Sequence, residues 1–271
     1  MSSEAFLAEY SSENAVRKYT RKTAGDGINY LLEHEYGEIY LKTIREHMSA
    51  PIGSGIRMLE FGCGGGMNLL HCMSVLEREK IPLAAAFGTD FSERLIMEAR
   101  KEAGAMTQQP EERVKFSVAR SECLLSDMTS SLQIAPRELL GSFQLIVGVN
   151  TFRYCCRVGK GQDCAKEIYD LLMPGGVCVM IDMNRKFPMF RTLVRDRLMR
   201  PKSERYLPSL EEYAAPFASV GLQVLEKKNF CWIPHSAGPV LLRTCRALTP
   251  ALDAVFPRYA MRSLVISKKP A

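Results

Sequence analysis

The sequence predicts an α/β fold: a doubly wound, seven-stranded, mostly parallel sheet with an antiparallel last strand. An N-terminal helical lid and a cap inserted between the last two strands complete it. Three observations predict this. Five apolar runs recur with helical patterns between most of them, the rhythm of parallel strands joined by right-handed crossovers. The first run ends in an acid and breaks into glycines, Glu60-Phe61-Gly62-Cys63-Gly64-Gly65-Gly66, ahead of a long helical pattern. The last third leaves the rhythm, with two further strand candidates separated by a proline-punctuated insertion. A length of 271 residues suits one large α/β domain with a lid. The expected division is 1–50 for the lid and 51–271 for the main domain, with the insertion at about 233–261.

The elements follow in order. Segment 9–48 carries tyrosines at 10, 19, 30, 36 and 40 and precedes the first strand. It cannot complete the sheet as a simple repeat, so it is expected to form helices packed over the domain. The first strand covers 56–61. Gly62, Gly64 and Gly66 then allow a tight turn and close approach of a ligand to the main chain. A helix follows over 67–79. The second strand, 84–89, ends at Asp90, and Ser92 caps a helix over 92–102. The third strand, 114–118, is weaker. The fourth, 143–149, ends at Asn150. A helix over 162–172 and the turn Met173-Pro174-Gly175-Gly176 lead into the fifth, 177–181. The last two candidates, 222–232 and 263–267, read as a hairpin-like antiparallel pair. The cap between them carries prolines at 234, 239, 250 and 257.

Composition narrows the class. Hydrophobic content of 46% and charged content of 24% are ordinary for a globular protein. A net charge of +6 suits an anionic substrate but is too small to imply nucleic acid by itself. No apolar run is long enough to span a bilayer, and the first residues lack the basic start and apolar core of a signal peptide. A cytoplasmic protein is therefore expected, with its oligomeric state, monomer or homodimer, left open. The nine cysteines are scattered without a C-x-x-C pair, which favours reduced thiols over a disulfide or zinc framework, and no metal site is expected.

The glycine turn discriminates between cofactors. A dinucleotide site wants G-x-G-x-x-G, and the final position, counted from Gly62, is Met67. Asp90 stands where a carboxylate accepts both ribose hydroxyls. Glu60 would repel a diphosphate but suits a ligand with an ammonium or sulfonium charge. Ribose binding without pyrophosphate machinery points to a nucleoside ligand. The plainer readings are a tight turn at Gly62–Gly66, a helix-start acid at Asp90 and a turn cap at Asn150.

With Leu59 to Gly66, Gly88-Thr89-Asp90-Phe91-Ser92 and Leu171-Leu172-Met173-Pro174-Gly175-Gly176 in register, the chain resembles the class I S-adenosylmethionine-dependent methyltransferases of the Rossmann-like, small-molecule type. The match runs from about 56 to 182, and 208–222 is similar to the family's helix before strand six. The resemblance implies S-adenosyl-L-methionine as cofactor. It implies that Glu60 and the backbone of Gly62 and Gly64 meet the methionine part, with Gly66 also in the cofactor site, that Asp90 holds the ribose and that Phe91 flanks the adenine. It places Asn150 near the transferring methyl. At the third strand end the family often carries an acid for the adenine amino group, whereas this chain reads Ala119-Arg120-Ser121-Glu122. Ser121, Glu122 or backbone and packing alone take that contact. N-terminal tyrosines such as Tyr19 are expected to line the cofactor through cation–π attraction to the sulfonium.

The acceptor is less legible. Methyl transfer is an in-line displacement that needs alignment and exclusion of water, and a base only if the acceptor must lose a proton early. Asn150-Thr151-Phe152-Arg153-Tyr154 lacks the prolines common to methylation of exocyclic base amines. A small organic acceptor is expected, an acidic metabolite or natural-product intermediate among the candidates; oxygen, nitrogen and carbon acceptors stay open. The catalytic candidates are His235, which opens the cap, and Tyr154. The arginine-rich stretch 185–205 reads as an amphipathic surface helix, as a lid attracting acidic partners or as a membrane-surface helix. The rival functions are an RNA methyltransferase, a NAD-binding oxidoreductase and a non-catalytic regulatory subunit of the same fold.

Overall fold

The computed structural model describes residues 25–53, 55–106, 113–190 and 207–271. Tyr19 and most of the arginine-rich stretch lie outside them. Helix α1 (Asp26–Tyr30), a π-helical segment (Leu31–Tyr36) and α2 (Gly37–Glu46) follow one another without a break. Leu31, Leu32, Tyr36, Tyr40 and Ile44 repeat at about helical spacing and form the buried face of this N-terminal helix.

The sheet is built from β1 (Ile56–Phe61), β2 (Leu83–Asp90), β3 (Val114–Val118), β4 (Phe143–Val149), β5 (Leu172–Met183), β6 (Gln223–Phe230) and β7 (Arg262–Lys268). Between them run α3 (Met67–Arg78), α4 (Glu93–Met106), α5 (Leu124–Leu132), α6 (Pro136–Leu139), α7 (Phe152–Arg157), α8 (Gly161–Leu171), α9 (Leu210–Ser219) and α10 (Pro239–Val255). The strand order is β3-β2-β1-β4-β5-β7-β6, with β1 to β5 parallel and β7 antiparallel to both its neighbours. The order reverses between β1 and β4, and ligands of open α/β sheets bind outside the strand ends at such a point.

Strand alternation divides the core. Met58, Val147, Val179, Ile181, Leu264 and Ile266 face the N-terminal helix and α3. Leu59, Phe61, Ile146, Cys178, Met180 and Val265 face α8 and α9. The structure adjusts two boundaries. β5 starts at Leu172, upstream of the expected turn, although Gly175 keeps a φ of +76° and the pairing with β4 shifts between Phe143 and Leu145. β7 takes in Arg262, a charged residue that the apolar pattern alone placed just outside the strand. Between β6 and β7 lies α10, which buries none of its residues fully. Helix α9 starts with a capping box, in which Ser209 and Glu212 satisfy each other's backbone N–H groups. Among the described residues no helix is long and apolar enough to cross a membrane.

Candidate functional site

The glycine turn leaves β1 with three residues in the left-handed region: Gly62 at φ +64°, Gly64 at +55° and Gly66 at +80°. A Cβ at Gly62 would collide with the Thr151 side chain, so the loop after β1 and the loop after β4 share one tight space. Gly66 caps α3 in the αL conformation, which turns the first helical residues back over the strand end.

Glu60 is the last but one residue of β1 and only 1% exposed. Its Oε1 accepts from Asn68 Nδ2 at 2.9 Å, while Oε2 has no partner. Asn68 Oδ1 in turn accepts from the Tyr40 hydroxyl at 2.9 Å. Burial pushes the Glu60 carboxyl up to about 8; the Asn68 side-chain amide and the Leu69 backbone amide pull it down, and the nearby Asp90 charge raises it further. A buried acid with one orphaned oxygen has a proton or a cation as its natural partner.

Asp90 closes the turn from the neighbouring strand. Its Oδ2 accepts from the Gly64 amide at 3.0 Å and its Oδ1 from the Ser92 amide at 2.9 Å. Each oxygen keeps a second acceptor position, so the side chain can brace the loop and still receive two hydroxyls. Burial raises Asp90 to about 6, against the lowering effect of those two amides. Ser92 Oγ accepts from the Leu95 amide at 3.4 Å, as an N-cap does. Phe91 is half-buried in the same turn.

At the third strand end the Ala119 amide donates to the Asp90 carbonyl at 3.0 Å. Arg120 is exposed and clamps Asp127 through both its guanidinium and its backbone amide. That clamp shapes the turn on which Ser121 and Glu122 sit half-buried, beside Asp90 in the sheet order.

Asn150 follows β4 directly, at a φ of +56°, and its Oδ1 accepts from Arg262 Nη1 at 3.2 Å. Next along the chain, Arg153 pairs with the buried Asp182 at 2.8 Å and donates to the Tyr154 hydroxyl at 2.7 Å. His235, in the loop after β6, lies 3.3 Å from the Tyr36 hydroxyl through Nε2, with the donor set by the imidazole tautomer. Burial pushes Tyr36 up to about 12. Of the two catalytic candidates, Tyr154 accepts from Arg153 of the Arg153–Asp182 pair, and His235 meets Tyr36 of the N-terminal helix.

The structure thus brings Glu60, Gly62, Gly64, Gly66, Asp90 and Asn150 to one edge of the sheet. The partners that sequence reasoning missed are Asn68, Tyr40, Arg153, Asp182 and Arg262. Two carried a readable signal: Asn68 is a polar residue in the apolar run Met67-Asn68-Leu69-Leu70, and Arg262 is a charge opening a run of buried residues.

Residues 59–178 match the methyltransferase domain family. No curated protein matches the chain in sequence. Solved structures share its fold. A chain of the complex between the Haloferax volcanii Trm112 methyltransferase activator and its partner is 16% identical, with a TM-score of 0.56 and 98% of each chain covered. The carbon-methyltransferase domain of the citrinin polyketide synthase is 17% identical, with a TM-score of 0.60, covering 96% of this chain and 58% of that one. Phosphoethanolamine N-methyltransferase 2 of Haemonchus contortus, solved with S-adenosyl-L-methionine, is 15% identical, with a TM-score of 0.60, covering 100% of this chain and 60% of that one. At these identities the likeness carries the fold.

Proposed function

From the premise that this chain carries a Rossmann-like, S-adenosylmethionine-dependent methyltransferase domain, we propose that it methylates a small organic acceptor. The observation that carries the reading is Glu60: a buried carboxyl group with an unpartnered oxygen, beside an Asp90 braced across the glycine turn. The residues present fit a cationic nucleoside and would conflict with a diphosphate. When bound, S-adenosylmethionine supplies an electrophilic methyl carbon on a sulfonium centre.

The chain's own residues do the rest. Glu60 meets the positive end of the methionine part, and Gly62, Gly64 and Gly66 admit it against bare backbone. Asp90 receives the ribose hydroxyls, Phe91 covers one side of the adenine, and Ser121 or Glu122 meets its edge. Residues 1–50 act as the lid and 233–261 as the cap, excluding water from the reacting atoms. Where the acceptor must lose a proton, His235 takes it, oriented by Tyr36, whose high pKa keeps it protonated at neutral pH. Tyr154, fixed by Arg153, forms an aromatic wall on the other side. The same reading places the enzyme in the cytoplasm.

Titration calorimetry against S-adenosylmethionine and S-adenosylhomocysteine tests the cofactor; binding of neither would overturn the reading. Release of S-adenosylhomocysteine with a small-molecule panel, and none with total RNA, tests the acceptor class.

A further inference from the structure

Among the described residues four arginines are buried or half-buried, Arg57, Arg153, Arg157 and Arg262, and of these Arg262 alone is fully buried. Arg153 faces Asp182. Arg57 lies over the rings of Phe87 and Phe143 at 5.1 and 5.3 Å. Arg262 has neither. It is 1% exposed, Nη1 is bonded to a neutral amide, and Nε has no partner. Among the described residues no carboxylate lies within ion-pair distance of it. A guanidinium does not give up its proton at any ordinary pH, so the charge persists. A buried, uncompensated charge is costly and calls for an anion.

Its place says which anion. Arg262 opens β7 between Met183 of β5 and Phe230 of β6, at the edge where the parallel strands end. Alternation puts it on the face of Leu264 and Ile266, beneath the N-terminal helix that carries Tyr36. Asn150, which it touches, follows β4 directly and is half-exposed. Because Asn150 Oδ1 faces Arg262, its Nδ2 is left as a donor at the strand end. A sulfonium close to this edge adds a second positive charge. Glu60, three strands away in the order β1-β4-β5-β7, cannot offset both.

We propose that Arg262 and Asn150 form an anion subsite that receives a carboxylate of the acceptor. The inference rests on the methyltransferase reading and narrows its substrate to acids. The Nε edge of the guanidinium, left over by Asn150, can take a carboxylate in two parallel bonds. The acceptor's charge then offsets both Arg262 and the sulfonium, so anion and cofactor bind cooperatively.

The test compares benzoate and acetate with benzamide and acetamide, by thermal shift and titration calorimetry, with and without S-adenosylhomocysteine. The acids should bind at least about tenfold tighter than their amides, and Arg262→Met should abolish that preference while leaving S-adenosylhomocysteine affinity within about twofold. Asn150→Asp, which supplies the missing carboxylate internally, should raise the melting temperature and remove the acid preference even if Arg262→Met fails to fold. Equal binding of acids and amides by the wild-type protein, no acid binding, or an acid preference that survives either substitution would overturn the subsite. Failure of S-adenosylhomocysteine to bind would instead strike the methyltransferase reading, and the acid–amide comparison on the free protein would still decide the subsite.

Discussion

Tyr36 and Tyr40 stand about one turn apart on the buried face of the N-terminal helix, and their hydroxyls serve different systems. Tyr40 donates to Asn68, which holds Glu60 on β1, whereas Tyr36 meets His235 in the loop after β6. One helix face thus reaches Glu60 through Asn68 and meets the loop after β6 directly.

Asp90→Ala should weaken S-adenosylhomocysteine binding by about 1–3 kcal/mol, the cost of lost ribose bonds and of a Gly64 amide left unbraced. Calorimetry reads the change; unaltered affinity would remove Asp90 from the ribose.

Cofactor affinity should rise with pH and level off near the Glu60 value of about 8. Below that pH the carboxyl carries a proton that a cationic ligand must displace, so binding releases it; above it the carboxylate is already formed. The slope approaches at most one decade per pH unit. Calorimetry in two buffers of different ionisation enthalpy measures the release, and Glu60→Gln should abolish it.

The same shift has a stability consequence. Glu60 and Asp90 have folded values above their unfolded ones, so the folded protein holds more protons between those limits. Their contribution to stability is complete at acidic pH and is lost as the pH rises through about 6 for Asp90 and about 8 for Glu60. The ligand-free melting temperature should fall over that span less steeply in Glu60→Gln than in the wild type.

Asn68→Leu removes the only described side-chain donor to Glu60 and strands the Tyr40 hydroxyl. Cofactor affinity should drop about fivefold, near 1 kcal/mol for one hydrogen bond. Tyr40→Phe should have a smaller effect in the same direction, and equal affinities across the three proteins would show that the chain does not support Glu60.

Asp182→Asn leaves the Arg153 charge facing a neutral amide at a fully buried position. Breaking one side of such a pair costs roughly 3–5 kcal/mol. Chemical denaturation should report a loss of that order; a change below about 1 kcal/mol would mean that water already compensates the pair.

The strands and the glycine turn were legible because both are local. Alternating apolar runs set five parallel strands by themselves, and glycines at 62, 64 and 66 announce a backbone that must turn left-handed. Asp90 was readable for the same reason, as an acid ending a strand one crossover later.

The amino-acid sequence by itself determined the fold class, the glycine turn, Glu60 and Asp90, since hydrophobic period and backbone conformation depend on near neighbours. Only the tertiary structure decided that Asn68 and Tyr40 support Glu60, that His235 meets Tyr36, and that Arg262 is buried against Asn150. Those pairs span 28, 199 and 112 residues for Tyr40–Asn68, Tyr36–His235 and Asn150–Arg262. They exist because sheet order, not chain order, brings β4, β5, β6 and β7 to one edge and lays the N-terminal helix across it.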